Sequence, residues 1–160
     1  MQARHRWRRL LVAWMLVVVA ASSSGQVRPD YSGTWTQSEP RLGPDSSHIE
    51  RIEFKDPVLK VTVDGSGSAR SMGMAYHLDH TYSIGAPTET RKFDDGRIRS
   101  VTATWEGLTL VFVTSTQEGA NTTTERDVWS VSDDGTTLTK TRETTNWRGT
   151  SSQRRVFKRK

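Results

Sequence analysis

Apolar residues recur at every second position through much of this chain, the period of a half-buried strand, and no helical repeat competes with it. In "VLKVTVDG" the alternation puts Leu59, Val61 and Val63 on one face. "MGMAYHL" does the same for Met72, Met74, Tyr76 and Leu78, and "VTATW" for Val101, Ala103 and Trp105. Turn signals stand between such runs: Asp64-Gly65, Asp94-Asp95-Gly96, Glu106-Gly107 and Asp133-Asp134-Gly135. Short, evenly spaced strands with glycine turns predict an all-β fold, a single antiparallel up-and-down barrel of about eight to ten strands over residues 26–160. The one long stretch without a strand pattern, "TQSEPRLGPDSS", holds Pro40, Gly43 and Pro44 and predicts a loop across one barrel end.

Two hairpins can be registered from the pattern. In "VTATWEGLTLVF" a loop at Glu106-Gly107 pairs Trp105 with Leu108, Ala103 with Leu110 and Val101 with Phe112, all on one apolar face. Thr102, Thr104, Thr109, Val111 and Val113 then fall on the other face. In "TERDVWSVSDDGTTLTKTRE" a loop from Asp133 to Thr136 pairs Val131 with Leu138, Trp129 with Lys140 and Asp127 with Arg142. A shorter loop would misalign the faces. This register sets opposite charges across the strands and a lysine beside an indole. The same residues serve either a barrel interior with polar groups or a solvated pair at the barrel mouth.

The N-terminus has a different pattern. Arg4, Arg6, Arg8 and Arg9 precede the apolar run "LLVAWMLVVVA", and "ASSSGQ" follows with small residues. This is the three-part layout of a secretory signal over residues 1–25, with a cut expected near Gly25–Gln26. The run is shorter than the roughly 20 residues of a spanning helix, so no stable membrane anchor is expected after cleavage. The chain has no cysteine, which excludes a lipid anchor on that residue and any disulfide. An exported location, periplasmic or extracellular, follows as an expectation.

Setting that segment aside changes the charge argument. The net charge of +5 falls to about +1 without its four arginines. The high pI of 9.9 is thus largely a property of the leader, and no nucleic-acid partner is expected.

Signals for chemistry are sparse. "HLDH" offers His77, Asp79 and His80, but on a strand His77 and Asp79 share a face while His80 points away. The spacing supplies no third ligand, so no metal and no cofactor are expected. The serines of "DGSGSA" lack the strand–turn–helix setting of a nucleophile and are assigned to a hairpin loop. No catalytic residue is assigned, and the expectation is a protein that is not an enzyme.

Gly33-Thr34-Trp35 in the first strand, with an arginine in the last, resembles the calycin pattern of lipocalins and fatty-acid-binding proteins. The resemblance implies that Trp35 plugs one barrel end beneath a basic side chain. Arg155 is preferred over Arg154, because it shares a face with Phe157. "RVF" is similar to the Arg-x-Tyr ending of fatty-acid-binding proteins, which implies an inward Arg155 that holds a carboxylate, although Phe157 lacks the hydroxyl. The helical lid of that family has no counterpart between Thr36 and His48. The order "GTW", "WEGLTL", "WSVSDDGTTLT", "RRVFKRK" most resembles bacterial exported lipocalin-like proteins.

The leading expectation is a barrel that binds a small apolar or amphipathic molecule. Met72, Met74, Tyr76, Trp105 and Phe112 would form its walls, beside Trp129, with Asp127, Lys140, Arg142 and Arg155 as polar anchors. Two other readings stay open. One is a filled barrel that meets a protein partner through an outer face such as Val111 and Val113. The other is an enzyme on a barrel scaffold.

Overall fold

A computed structural model describes residues 27–38, 46–67 and 75–160. Residues 1–25, expected to be a secretory signal, the Pro40, Gly43 and Pro44 of the expected loop, and Met72 and Met74 lie outside the described residues. The strands are β1 (Gly33–Gln37), β2 (Ser47–Lys55), β3 (Val58–Ser66), β4 (Ala75–Ser83), β5 (Glu89–Lys92), β6 (Ile98–Glu106), β7 (Thr109–Glu118), β8 (Asn121–Val131), β9 (Thr137–Asn146) and β10 (Gly149–Arg159). They form one antiparallel sheet in the order β4-β3-β2-β1-β10-β9-β8-β7-β6-β5. Neighbours in the chain are neighbours in the sheet, except that β4 and β5 form its two edges, and β1 pairs with β10. This is the all-β up-and-down barrel expected from the alternation.

Among the described residues the two sheet ends, β4 and β5, are not paired with each other, and the segment that follows β4 crosses the barrel bottom. There the Ile84 N–H donates to the Pro57 carbonyl and the Gly85 N–H to the Ala103 carbonyl, at 2.7 Å each. Inward residues of the lower barrel make a dry core. Tyr31, Trp35, Leu59, Leu110, Leu138 and Phe157 have no exposed surface. Burying each such side chain stabilises the fold by about 1.5–3 kcal/mol. Tyr31 precedes β1 and crosses beneath the barrel. Its hydroxyl donates to the Trp129 carbonyl at 2.7 Å and accepts from the Leu110 N–H at 3.3 Å.

The β8–β9 hairpin has the expected register, with Val131 opposite Leu138, Trp129 opposite Lys140 and Asp127 opposite Arg142. The β6–β7 hairpin is offset from its expected register. Trp105 pairs with Leu110 and Ala103 with Phe112, and the two-residue loop is Gly107-Leu108. Gly107 sits at φ 60°, which suits the first position of a tight turn and draws the loop one residue onward. The expected inward face keeps its members because the shift is an even one, but Leu108 becomes an exposed loop residue. Val111, expected on an outer contact face, is only 1% exposed, so that face is reduced to Val113 at 39%.

Asp64-Gly65 is strand rather than turn. β3 runs through to Ser66, and Gly65 lies opposite Tyr76 of β4. A Cβ on Gly65 would run into the Tyr76 ring. The glycine here is a sheet position that lets an aromatic side chain lie flat on the backbone.

Candidate functional site

Above the dry core the barrel opens into a cavity of about 530 Å³. Its position follows from where each strand changes character. Inward positions of β9 run Leu138, Lys140, Arg142 from bottom to mouth, and those of β2 run Ile52, Glu50, His48. The apolar part of the wall comes from Val61, Val63, Leu78, Tyr82 and Trp129.

At the cavity floor, Lys140 and Glu50 form an ion pair with both side chains buried. The Lys140 ammonium also stands 3.2 Å from the Trp129 ring centroid and 5.3 Å from that of Phe157. It is thus held by a carboxylate and by π faces together. Burial by itself would raise the Glu50 carboxyl. The Lys140 ammonium and the hydrogen bond from His48 outweigh it and hold the carboxyl at about 2. Burial pulls the Lys140 ammonium below the usual lysine range, against the opposing pull of Glu50.

His48 extends this group toward the mouth. Its Nε2 is 3.0 Å from Glu50 Oε1, and its Nδ1 is 2.7 Å from the Tyr76 hydroxyl. Across the cavity the Arg142 guanidinium meets Asp127 in a two-point contact, Nε to Oδ1 and Nη2 to Oδ2 at 2.8 Å each. Planar pairing of this kind fixes both side chains. Its Nη1 lies 3.4 Å from Glu125.

Two further cations line the cavity, Arg99 and Arg155. Among the described residues neither has a carboxylate partner; Arg155 donates to Gln153 Oε1 at 3.2 Å. His80 lies between β4 and this charge. Burial and the neighbouring Arg99 hold its ring below the usual histidine value.

Of the residues expected at the site, Tyr76, Asp127, Trp129, Lys140, Arg142 and Arg155 line the cavity. The polar hairpin pair lines the cavity toward its mouth, with the Asp127 side chain largely buried and Arg142 40% exposed. Trp105 and Phe112 are inward but belong to the core beneath it. Trp105 packs edge-on to Tyr31 and Phe54 at 5.9 Å, and Phe112 packs on Trp129 at 4.5 Å. Met72 and Met74 lie outside the described residues. Glu50, His48, His80 and Arg99 went unassigned in the sequence. Each stands at an inward position of an alternating strand, and that parity was the signal available for them.

The barrel-closing signature needs a correction. The guanidinium over Trp35 belongs to Arg159, 4.6 Å from the ring, and not to Arg155 or Arg154. The register explains this: Trp35 lies opposite Arg159 in the β1–β10 ladder. Arg155 is four residues nearer the mouth, roughly 14 Å along the strand. Arg159 also donates to the Asp30 carbonyl at 2.8 Å, while Trp35 donates its indole N–H to the Tyr31 carbonyl at 2.9 Å.

On the outer wall, His77 stands between Asp64, at 2.7 Å, and Asp79, at 3.2 Å. His80 faces the interior, as strand parity requires.

No protein-family model matches the chain, and no curated protein matches it by sequence. Solved structures match it by shape. A secretary abundant heat soluble (SAHS) protein from Ramazzottius varieornatus superposes with a TM-score of 0.55 at 14% identity, covering 82% of this chain and 96% of its own. Zebrafish ileal bile acid-binding protein, complexed with cholic acid, gives 0.52 at 13%, covering 81% and 98%. A fatty-acid-binding protein of Drosophila melanogaster brain tissue gives 0.51 at 15%, covering 81% and 99%. At these identities the likeness is one of fold alone: the chain shares the β-barrel architecture of these proteins.

Proposed function

We propose that the protein is an exported binder of a single small amphipathic molecule, on which it performs no chemistry. The observation that carries this reading is the cavity itself, at about 530 Å³ with Arg99 and Arg155 aimed into it beside the internally paired Glu50–Lys140 and Asp127–Arg142. Paired charges hold one another and leave no net demand for a ligand group. The two remaining arginines favour an anionic head, and the Val61, Val63, Leu78 and Tyr82 wall favours an apolar body. Polar side chains are numerous along the rest of the lining, which favours a ligand with several polar groups over a plain alkyl chain. The fold neighbour complexed with cholic acid binds a molecule of that description. A barrel filled by its own side chains does not fit a cavity larger than the roughly 300 Å³ at which ligand pockets begin.

Export rests on the N-terminal charge and hydropathy pattern. N-terminal sequencing of protein recovered outside the cytosol should begin between about Ser22 and Val27.

Trp129 at the cavity floor provides the binding readout. Titration with hydroxylated, amphipathic carboxylates should quench its fluorescence saturably, and the uncharged amides of the same molecules should bind at least tenfold more weakly. Arg155→Ala should remove most of that difference. Absence of saturable quenching across lipids, bile acids, pigments and aromatic acids, checked by native mass spectrometry, would overturn the reading.

A further inference from the structure

The two edges of the sheet are built differently. β5 is four residues long, and Glu89, Arg91 and Lys92 give it a charged rim. Short, charged edges resist unwanted pairing. β4 spans nine residues, "AYHLDHTYS", with no lysine, proline or glycine. Among the described residues it pairs with β3 alone. Its Tyr76 and Leu78 point inward yet are 36% and 49% exposed. A long edge with an unpaired row of N–H and C=O groups, and with neither lysine nor proline to guard it, is a template for a further strand.

The side chains of β4 select what that strand is. Pairing β4 antiparallel with a second β4, centred on Leu78, sets His77 opposite Asp79 of the second copy, twice by symmetry. The same register sets Leu78 against Leu78 and Tyr76 against His80 on the inner face. These are opposite-charge, apolar and aromatic cross-strand pairs. Moving the centre to Asp79 would oppose two carboxylates, and moving it to His77 would oppose two imidazoles. His77 already hydrogen-bonds Asp64 and Asp79 of its own chain, contacts that favour its cationic form.

The geometry points to a two-fold dimer of this chain, in which the β4 edges pair antiparallel about Leu78 and the two sheets become continuous. The pairing covers the half-exposed Leu78 of each cavity wall. It does not depend on what the cavity holds.

The chain contains no cysteine, so single cysteines report on the register without ambiguity. Directly opposed residues have Cα atoms about 4.5–5.5 Å apart, within disulfide reach. Under mild oxidation Leu78→Cys should convert to a covalent dimer. Thr81→Cys on the same strand, and Val113→Cys on the outer face of β7, should stay monomeric. An equimolar mixture of His77→Cys and Asp79→Cys should link faster than either variant by itself. In sedimentation velocity the unmodified protein should show a concentration-dependent dimer. Leu78→Lys, which opposes two like charges, should raise its dissociation constant at least tenfold. All these positions are exposed or half-exposed, and circular dichroism will verify that each variant keeps the fold. The proposal is overturned by a protein that stays monomeric at every concentration while Leu78→Cys links no faster than Val113→Cys. A dimer that Leu78→Lys leaves intact overturns it equally, as does one in which Asp79→Cys self-links in preference to Leu78→Cys.

Discussion

The lower and upper halves of the barrel are made from the same strands and do opposite things. Below, β9 and β10 contribute Leu138 and Phe157, both fully buried, and Tyr31 and Arg159 cap the core. Two to four residues further along the same strands the inward positions become Lys140, Arg142 and Arg155. Apolar burial below is favourable without further arrangement. Charge burial above depends on partners: Lys140 is held by Glu50 and Arg142 by Asp127, while among the described residues Arg155 has only the Gln153 amide oxygen. The difference teaches that stability and recognition have been separated by height along the barrel axis.

That separation can be broken from below with the largest effect. Trp35→Ala should destabilise the protein by ~3–5 kcal/mol in urea unfolding, since it empties a site with no exposed surface. In the upper half the sign should depend on how many partners are removed. Glu50→Leu leaves Lys140 buried without its carboxylate and should cost about 3 kcal/mol, whereas Glu50→Leu with Lys140→Met should recover most of that loss. A double-mutant cycle measures the contrast.

Acid titration sharpens the same point. Glu50 in the folded protein sits near 2, below its ordinary 4.5. Its folded value is depressed, so its contribution is complete above about 4.5 and is lost as the pH falls toward about 2. The denaturation midpoint should therefore fall in that window, and Glu50→Gln should flatten the slope.

Tyr31→Phe, which removes the hydroxyl bonded to the Trp129 carbonyl, should cost ~1–2 kcal/mol. The same burial pushes the Tyr31 hydroxyl up to about 12, so alkaline difference spectra should lack its ionisation until the protein unfolds. The smallest effect is expected at Trp147, 70% exposed on the β9–β10 loop at the mouth. Trp147→Ala should change stability by no more than about 0.5 kcal/mol.

Strand parity was legible in the sequence at both heights of the barrel. Alternation alone places Leu59, Val61 and Val63 inward, and the Trp129–Lys140 and Asp127–Arg142 pairs follow from a loop length and a common face. The shift in the β6–β7 turn escaped because Trp105 with Leu108 and Trp105 with Leu110 satisfy the same parity. Only the turn geometry at Gly107 separates them. Assigning Arg155 to Trp35 failed for a related reason. Arg155, Phe157 and Arg159 share one face, and the choice among them depends on the stagger between the first strand and the last, which no local pattern encodes. The floor pair Glu50–Lys140 joins β2 to β9 across the barrel interior, a contact fixed by closure and not by either strand.

The pairing of β1 with β10 also bears on how the molecule comes into being. Arg159 reaches the Asp30 carbonyl over a separation of 129 positions. The β2–β3, β3–β4 and β5-to-β9 hairpins can form as each is synthesised, but β1 cannot pair with β10 until β10 has left the ribosome. Until then Trp35 has no roof, and β1 remains an open sheet edge. Closure over such a span is entropically slow. A nascent barrel of this kind is therefore at its most adhesive just before β10 emerges, and anything that shortens that interval, or shields β1 during it, governs the yield of folded barrels.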